Sequence, residues 1–147
     1  MKILEKIKLD MRGALKKREN DKLIVLRSLI AKLKNKEISK REQLNEDEVI
    51  KVIRANINQL KESINIYKKA KRLELAEKEE SELMIIESYV PEMLSDEQIQ
   101  ELVEKAVIKV KAESLSDIGK VMPIIMREGG SLIDGNKARE ILKQFLE

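Results

Sequence analysis

Hydrophobic residues recur at three- and four-residue steps from one end of the chain to the other. Ile3 and Leu4, Ile7, Met11, and Ala14 with Leu15 line one face over residues 3–18, which predicts a first helix. Asn20 and Asp21 then predict a break and a fresh N-terminal cap. In the next segment Leu23, Leu26, Ile30 and Leu33 form a single apolar stripe flanked by Lys32, Lys34 and Lys36, giving a second helix. From Asn45 onward Ile50, Ile53, Ile57, Leu60, Ile64 and Tyr67 follow the seam of a helix that packs on other helices at a shallow angle. Asn45 with Glu48 predicts a capping box at its start. A helix over residues 46–70 would run roughly 37 Å and form the spine of the N-terminal region. Such a seam can also serve self-association, but the neighbouring amphipathic helices need a surface to cover.

Residues 71–90 join a polar stretch to a hydrophobic end at Leu83, Ile85, Ile86, Tyr89 and Val90. Pro91 has no N–H to donate and disfavours helical geometry at Val90, so the helix is expected to stop there and a domain boundary to follow. Beyond it, Ser95 with Gln98 predicts a capping box for a helix carrying Ile99, Leu102, Val103, Ala106, Val107 and Val110. Ser114 with Asp117 predicts a further cap. The following helix carries Leu115, Ile118, Val121, Met122 and Ile125, with Pro123 either kinking it or lying near its start, and Gly129 and Gly130 ending it. After an Asp134-Gly135 turn, Ala138, Ile141, Leu142 and Phe145 mark the last helix.

Composition narrows this to an all-α fold. The chain has 147 residues, 42% of them hydrophobic, with only Tyr67, Tyr89 and Phe145 aromatic and too little Gly and Pro to punctuate a sandwich or barrel. The expected layout is an N-terminal helical hairpin or bundle over residues 1–91, built on the long heptad helix, and a small three-helix domain over 92–147. No apolar run approaches the ~20 residues that span a bilayer, and the N-terminal stretch lacks a signal-peptide centre. A cytoplasmic location with no membrane partner is the expectation.

Cysteine and histidine are both absent, which removes thiol and imidazole nucleophiles and bases and the usual zinc ligands. There is no phosphate-binding loop, dinucleotide fingerprint or other cofactor motif. The neighbouring Ser39 and Lys40 face different ways on a helix, which argues against a Ser-Lys centre. Glu77, Glu79, Glu80 and Glu82 point apart around a helix with Lys78 among them, and read as a solvated face rather than a metal site. No catalytic residue, cofactor or metal is expected.

The net charge of +3 conceals a division: residues 1–41 carry +9, residues 42–113 carry −6, and the remainder balances. A basic first third can bind a polyanion or can pair with the acidic middle. The aromatics are too few to make a stacking platform for single strands, leaving phosphate and sugar contacts to a folded RNA as the form nucleic-acid binding would take. The Gly119-Lys120 pair, the Gly129-Gly130 loop and the turn from Asp134 to Lys137 bring backbone and basic side chains near helix ends.

Three stretches carry a family resemblance: LIVLRSLIAKLKNKEI at 23–38, the run from Leu44 to Ile99, and DIGKVMPIIM with DGNKAREILKQFL near the end. Within the second, KESI-x-x-Y-K-K-A, L-x-x-K-E-E-x-E-L and Y-x-P-x-x-L are specific beyond helical composition. The chain resembles the GatB/YqeY family over essentially its whole length, and its size is similar to that of the stand-alone YqeY-like members. The resemblance implies a two-domain helical fold and a relation to the tail of the GatB subunit of glutamine-dependent aminoacyl-tRNA amidotransferase, a carbon–nitrogen ligase. That tail holds the tRNA and does no chemistry. The C-terminal unit would then meet the outer corner of a tRNA, with Gly119, Lys120 and Met122 matching the family's G-K-V-M and Asp134 and Gly135 its D-G turn. Pro123 departs from the small residue expected after that motif. Lys120, Arg127, Lys137 and Lys143 are the candidates for phosphate contact. Nothing in these residues could phosphorylate a carboxylate or deliver ammonia. The alternative is a helical scaffold docking, through the heptad helix or the basic N-terminal pair, onto a synthetase, amidotransferase or other translation partner.

Overall fold

The computed structural model describes residues 1–147 and is all-helical, dividing into two compact units, Met1–Val90 and Pro91–Glu147. The first holds α1 (Ile3–Lys17), α2 (Asn20–Lys40), α3 (Glu46–Lys69) and α4 (Leu73–Glu87). The second holds α5 (Asp96–Val110), α6 (Ile118–Gly129) and α7 (Gly135–Leu146), with short 3-10 turns at Leu115–Asp117 and Gly130–Leu132.

In the first unit α1 pairs mainly with α2 and α3 with α4. The predicted stripe of α2 is buried at Leu23, Leu26, Ile30 and Leu33, joined by Val25 and Leu29. The heptad positions Ile50, Ile53, Ile57, Leu60 and Ile64 are buried as well, while Tyr67 is only half-buried. The seam of α3 is therefore consumed inside its own unit. Two polar contacts fix the layers. Lys32 Nζ donates to the buried Asn56 Oδ1 at 2.6 Å, tying α2 to α3. The Tyr89 hydroxyl donates to Asp10 Oδ2 at 2.6 Å, tying the segment after α4 to α1. The backbone N–H of Ile3 donates to Glu46 Oε1 at 3.2 Å, and Lys40 pairs with Glu48. The start of α1, the end of α2 and the start of α3 thus share one end of the unit. The α1–α2 and α3–α4 turns accordingly share the other.

Helix boundaries follow caps more than composition. Asn45 accepts from the Glu48 N–H while Glu48 Oε1 accepts from the Asn45 N–H, completing the expected box. Ser95 and Gln98 do the same for α5. Asn20 and Asp21, expected to cap α2, instead lie within its first turn; Glu19 occupies the cap without a side-chain bond. The reason is that Arg18 adopts the left-handed conformation and closes α1 on Ala14 and Leu15, leaving only Glu19 between that closing residue and α2. Similarly, α4 ends at Glu87, a turn short of Val90, where the Ser88 hydroxyl donates to the Ile85 carbonyl. Glu80 of the acidic run pairs with Lys68 at 2.8 Å across the α3–α4 layer.

The second core gathers Ile99, Val103, Ala106, Val107, Val121, Ile125, Ile133, Ala138 and Leu142. Phe145, expected on the apolar stripe of α7, is exposed, and Leu146, one turn on from the buried Leu142, packs against the core in its place. Pro123 lies inside α6 rather than at its start. Having no N–H, it leaves the Gly119 carbonyl without the donor one turn on. Gly130 ends α6 with φ 55° and ψ −134°, a backbone conformation open to glycine alone.

Candidate nucleic-acid interface

Gly119, Lys120, Pro123 and Arg127 are all exposed on α6. Lys120 and Arg127 are two turns apart and share a face, about 10 Å apart along the axis. Met122, on another side of the helix, is half-buried and packs against the second core, so its part is structural. Glycine at 119 has no internal justification: its φ is not positive and nothing stands within 4 Å of the position a Cβ would take. A helical glycine costs about 1 kcal/mol relative to alanine, and this one returns nothing to the fold.

Lys120 Nζ is 3.8 Å from Asp117 Oδ1, a loose pair with the lysine well exposed. Asp117 is itself occupied: its carboxylate accepts the N–H groups of Glu113 at 2.9 Å and Ser114 at 3.2 Å. Those two bonds, with a smaller contribution from Lys120, hold its carboxyl below the usual carboxylate range. The Ser114–Asp117 pair thus organises the 3-10 turn that leads into α6.

At α7, Asp134 Oδ1 accepts from the N–H groups of Asn136 at 2.9 Å and Lys137 at 3.3 Å. The second and third amides of this helix are therefore taken by its own cap. A Cβ at Gly135 would make only ordinary van der Waals contact with the tip of the Met126 side chain, 3.4 Å away, so packing does not demand glycine there. Lys137 Nζ bonds Asp96 Oδ1 at 2.9 Å, and that bond raises the lysine above its ordinary range. Both partners are exposed, so exchange of Asp96 for a phosphate would cost little.

The same contacts set the candidates in space. Lys137 beside Asp96 brings the starts of α5 and α7 together, and the Leu94 N–H donating to the Leu132 carbonyl at 2.8 Å holds the end of α6 there too. Arg127 and Lys137 consequently lie toward one end of the three-helix unit, Gly119, Lys120 and Lys143 toward the other. Lys143 stands about 120° around α7 from Lys137. It shares its face with the exposed Arg139, one turn earlier, a cation outside the candidates named from the sequence although its i, i+4 spacing is visible there. The arrangement is a spread of separate cations over two ends of the unit.

Fold and surface together define a class: a small all-helical protein built from two bundles, each with its own core. Residues 4–146 match the family model described as Yqey-like protein, and the chain belongs to that family. It is 30% identical over 83 residues to an uncharacterized protein of Schizosaccharomyces pombe, covering 56% of this chain and 68% of that one. It is 32% identical over 108 residues to the Altered inheritance of mitochondria protein 41, mitochondrial, of Vanderwaltozyma polyspora, covering 71% of this chain and 58% of the relative. The protein of the same name from Clavispora lusitaniae is 32% identical over 112 residues, covering 75% and 65%. No helix is long and apolar enough to cross a membrane.

Proposed function

We propose that this chain is an accessory tRNA-binding module, related to the tRNA-holding tail of glutamine-dependent aminoacyl-tRNA amidotransferase, that acts by positioning and carries no catalytic centre of its own. The observation that supports it most is the exposed Gly119-Lys120 step at the start of α6. There the helix carries a glycine with open space around it, next to a well-exposed lysine held only loosely by Asp117. A bare backbone beside a lysine is what close approach by a sugar-phosphate chain requires. Arg127, Lys137, Lys143 and Arg139 extend the cationic surface over α6 and α7.

Filter binding of bulk tRNA at two salt concentrations tests this. Affinity should fall by roughly 0.7–0.9 log units per log of salt for each phosphate neutralised. The Lys120→Glu/Lys137→Glu variant should bind more weakly with an unchanged circular-dichroism spectrum; equal binding would remove the site. Glutamine- and ATP-dependent amide formation by the purified chain would overturn the non-catalytic part. A scaffold role through the α3 heptad seam is disfavoured by the burial of Ile50, Ile53, Ile57, Leu60 and Ile64 in the unit's own core.

A further inference from the structure

The end of the first unit formed by the α1–α2 and α3–α4 turns carries a second, unrelated surface. Residues 16–22 bring Lys16, Lys17, Arg18 and Lys22 to it, and residues 68–72 bring Lys68, Lys69, Lys71 and Arg72. All but Lys22 are exposed. Within these two stretches the only acids are Glu19 and Asp21; Glu74 and Glu77 follow on α4, and Glu80 engages Lys68. The two groups of cations are about fifty residues apart in sequence and share an end of the unit only because both helical pairs turn there.

Four large aliphatic side chains stand among those cations. Leu15 in the last turn of α1 is 56% exposed, Ile24 near the start of α2 63%, Ile66 in the last turn of α3 59%, and Leu73 at the start of α4 60%. Single exposed hydrophobes are ordinary, but one from each of four helices, all at the same end and all beside lysine or arginine, is not. A nucleic-acid backbone would match the cations and leave the aliphatics facing water. An anionic bilayer matches both, with headgroups taking the charges and the acyl boundary taking the side chains.

We propose that this end of the N-terminal unit docks peripherally on an anionic lipid surface. Docking of this kind needs no spanning segment, so the absence of a membrane-crossing helix does not bear on it. Lys34 and Lys36, near the other end of α2, supply an internal control.

Vesicle co-sedimentation of the full chain tests the proposal, comparing phosphatidylcholine alone with phosphatidylcholine mixed with phosphatidylserine. The chain should sediment with the mixed vesicles and stay in solution with the neutral ones. Lys16→Glu/Lys17→Glu/Lys69→Glu/Lys71→Glu should lower partitioning by about a hundredfold or more. Leu15→Ser/Ile66→Ser/Leu73→Ser should lower it by about tenfold or more while keeping every charge. Lys34→Glu/Lys36→Glu should leave it intact. Each substituted residue is exposed, and circular dichroism on every variant verifies the fold. No sedimentation with mixed vesicles would overturn the proposal, and so would retention by the serine variant. A third contrary outcome is loss of bulk-tRNA binding in the four-glutamate variant without any effect on vesicles, which would make this end an RNA surface. The Lys120→Glu/Lys137→Glu variant should sediment like the parent chain, so the lipid surface and the tRNA reading stand or fall separately.

Discussion

Gly119 and Gly129 sit near opposite ends of α6 and are glycine for opposite reasons. At 129 a Cβ would come within 2.6 Å of Ile133 Cγ2 and 2.7 Å of its Cβ, so the 3-10 turn could not fold back against the helix. Gly129→Ala should destabilise the second unit by about 1–3 kcal/mol in urea denaturation. Gly119→Ala should instead stabilise it by up to about 1 kcal/mol while weakening tRNA retention; a stabilised variant that binds normally would remove the backbone contact from the interface. Tyr89 presents another residue-scale case. Burial and its bond to Asp10 push the phenol well above its ordinary value. Tyr89→Phe would leave Asp10 without its donor, and a loss of about 1–2 kcal/mol is expected by the same measurement. In sequence this tyrosine was one letter of a family motif; its job, holding the segment after α4 to α1, needed a partner far earlier in the chain.

At the scale of the element, the strongest sequence signals were those whose partners lie within one turn. The boxes at Asn45–Glu48 and Ser95–Gln98 formed as the local pattern required, because a cap depends on three or four neighbouring residues and nothing else. Asn45→Ala should therefore lower first-unit stability by about 1 kcal/mol, read as a shift in the urea midpoint. The misassigned cap at Asn20 had its cause two residues earlier, outside such a window. Arg18 closes α1 through a left-handed turn, a conformation its sequence does not advertise and that glycine or asparagine would usually take. Arg41, Lys71 and Lys111 do the same elsewhere, so every non-glycine residue with positive φ is a lysine or arginine beside a helix terminus. Their charge suits the negative end of the preceding helix, which offsets part of the conformational cost.

For the whole molecule, carboxylates in both units shape the response to acid. The bond from Lys40, then the Asn45 N–H, depresses Glu48, and the Glu113 and Ser114 N–H groups depress Asp117. A carboxyl that gives up its proton more readily when folded adds stability that is complete above its unfolded value, about pH 4, and is lost as pH falls through the folded one. Urea midpoints should hold steady from neutral pH down to about pH 5 and then decline. A Glu48→Gln/Asp117→Asn variant should decline less; a parallel decline would remove these two groups as the source. Lys40 and Lys137 are raised by their carboxylate partners, so their contribution is present below about pH 10 and lost as pH rises through the folded values.

Helical content, the buried stripes of α2 and α3 and the capped starts of α3 and α5 were determined by sequence, because each rests on periodicity or on neighbours a turn away. The candidate cations Lys120, Arg127, Lys137 and Lys143 were likewise nameable from the chain, but only packing separated them toward two ends of the second unit. It also showed that Asp96 holds Lys137 and that Asp134 already occupies the Asn136 and Lys137 amides of α7. The basic, aliphatic end of the first unit was invisible until tertiary structure put two distant turns at the same end. Charge and exposure act through space, and a linear pattern fixes which face a residue occupies on its own helix without fixing what stands next to it on another.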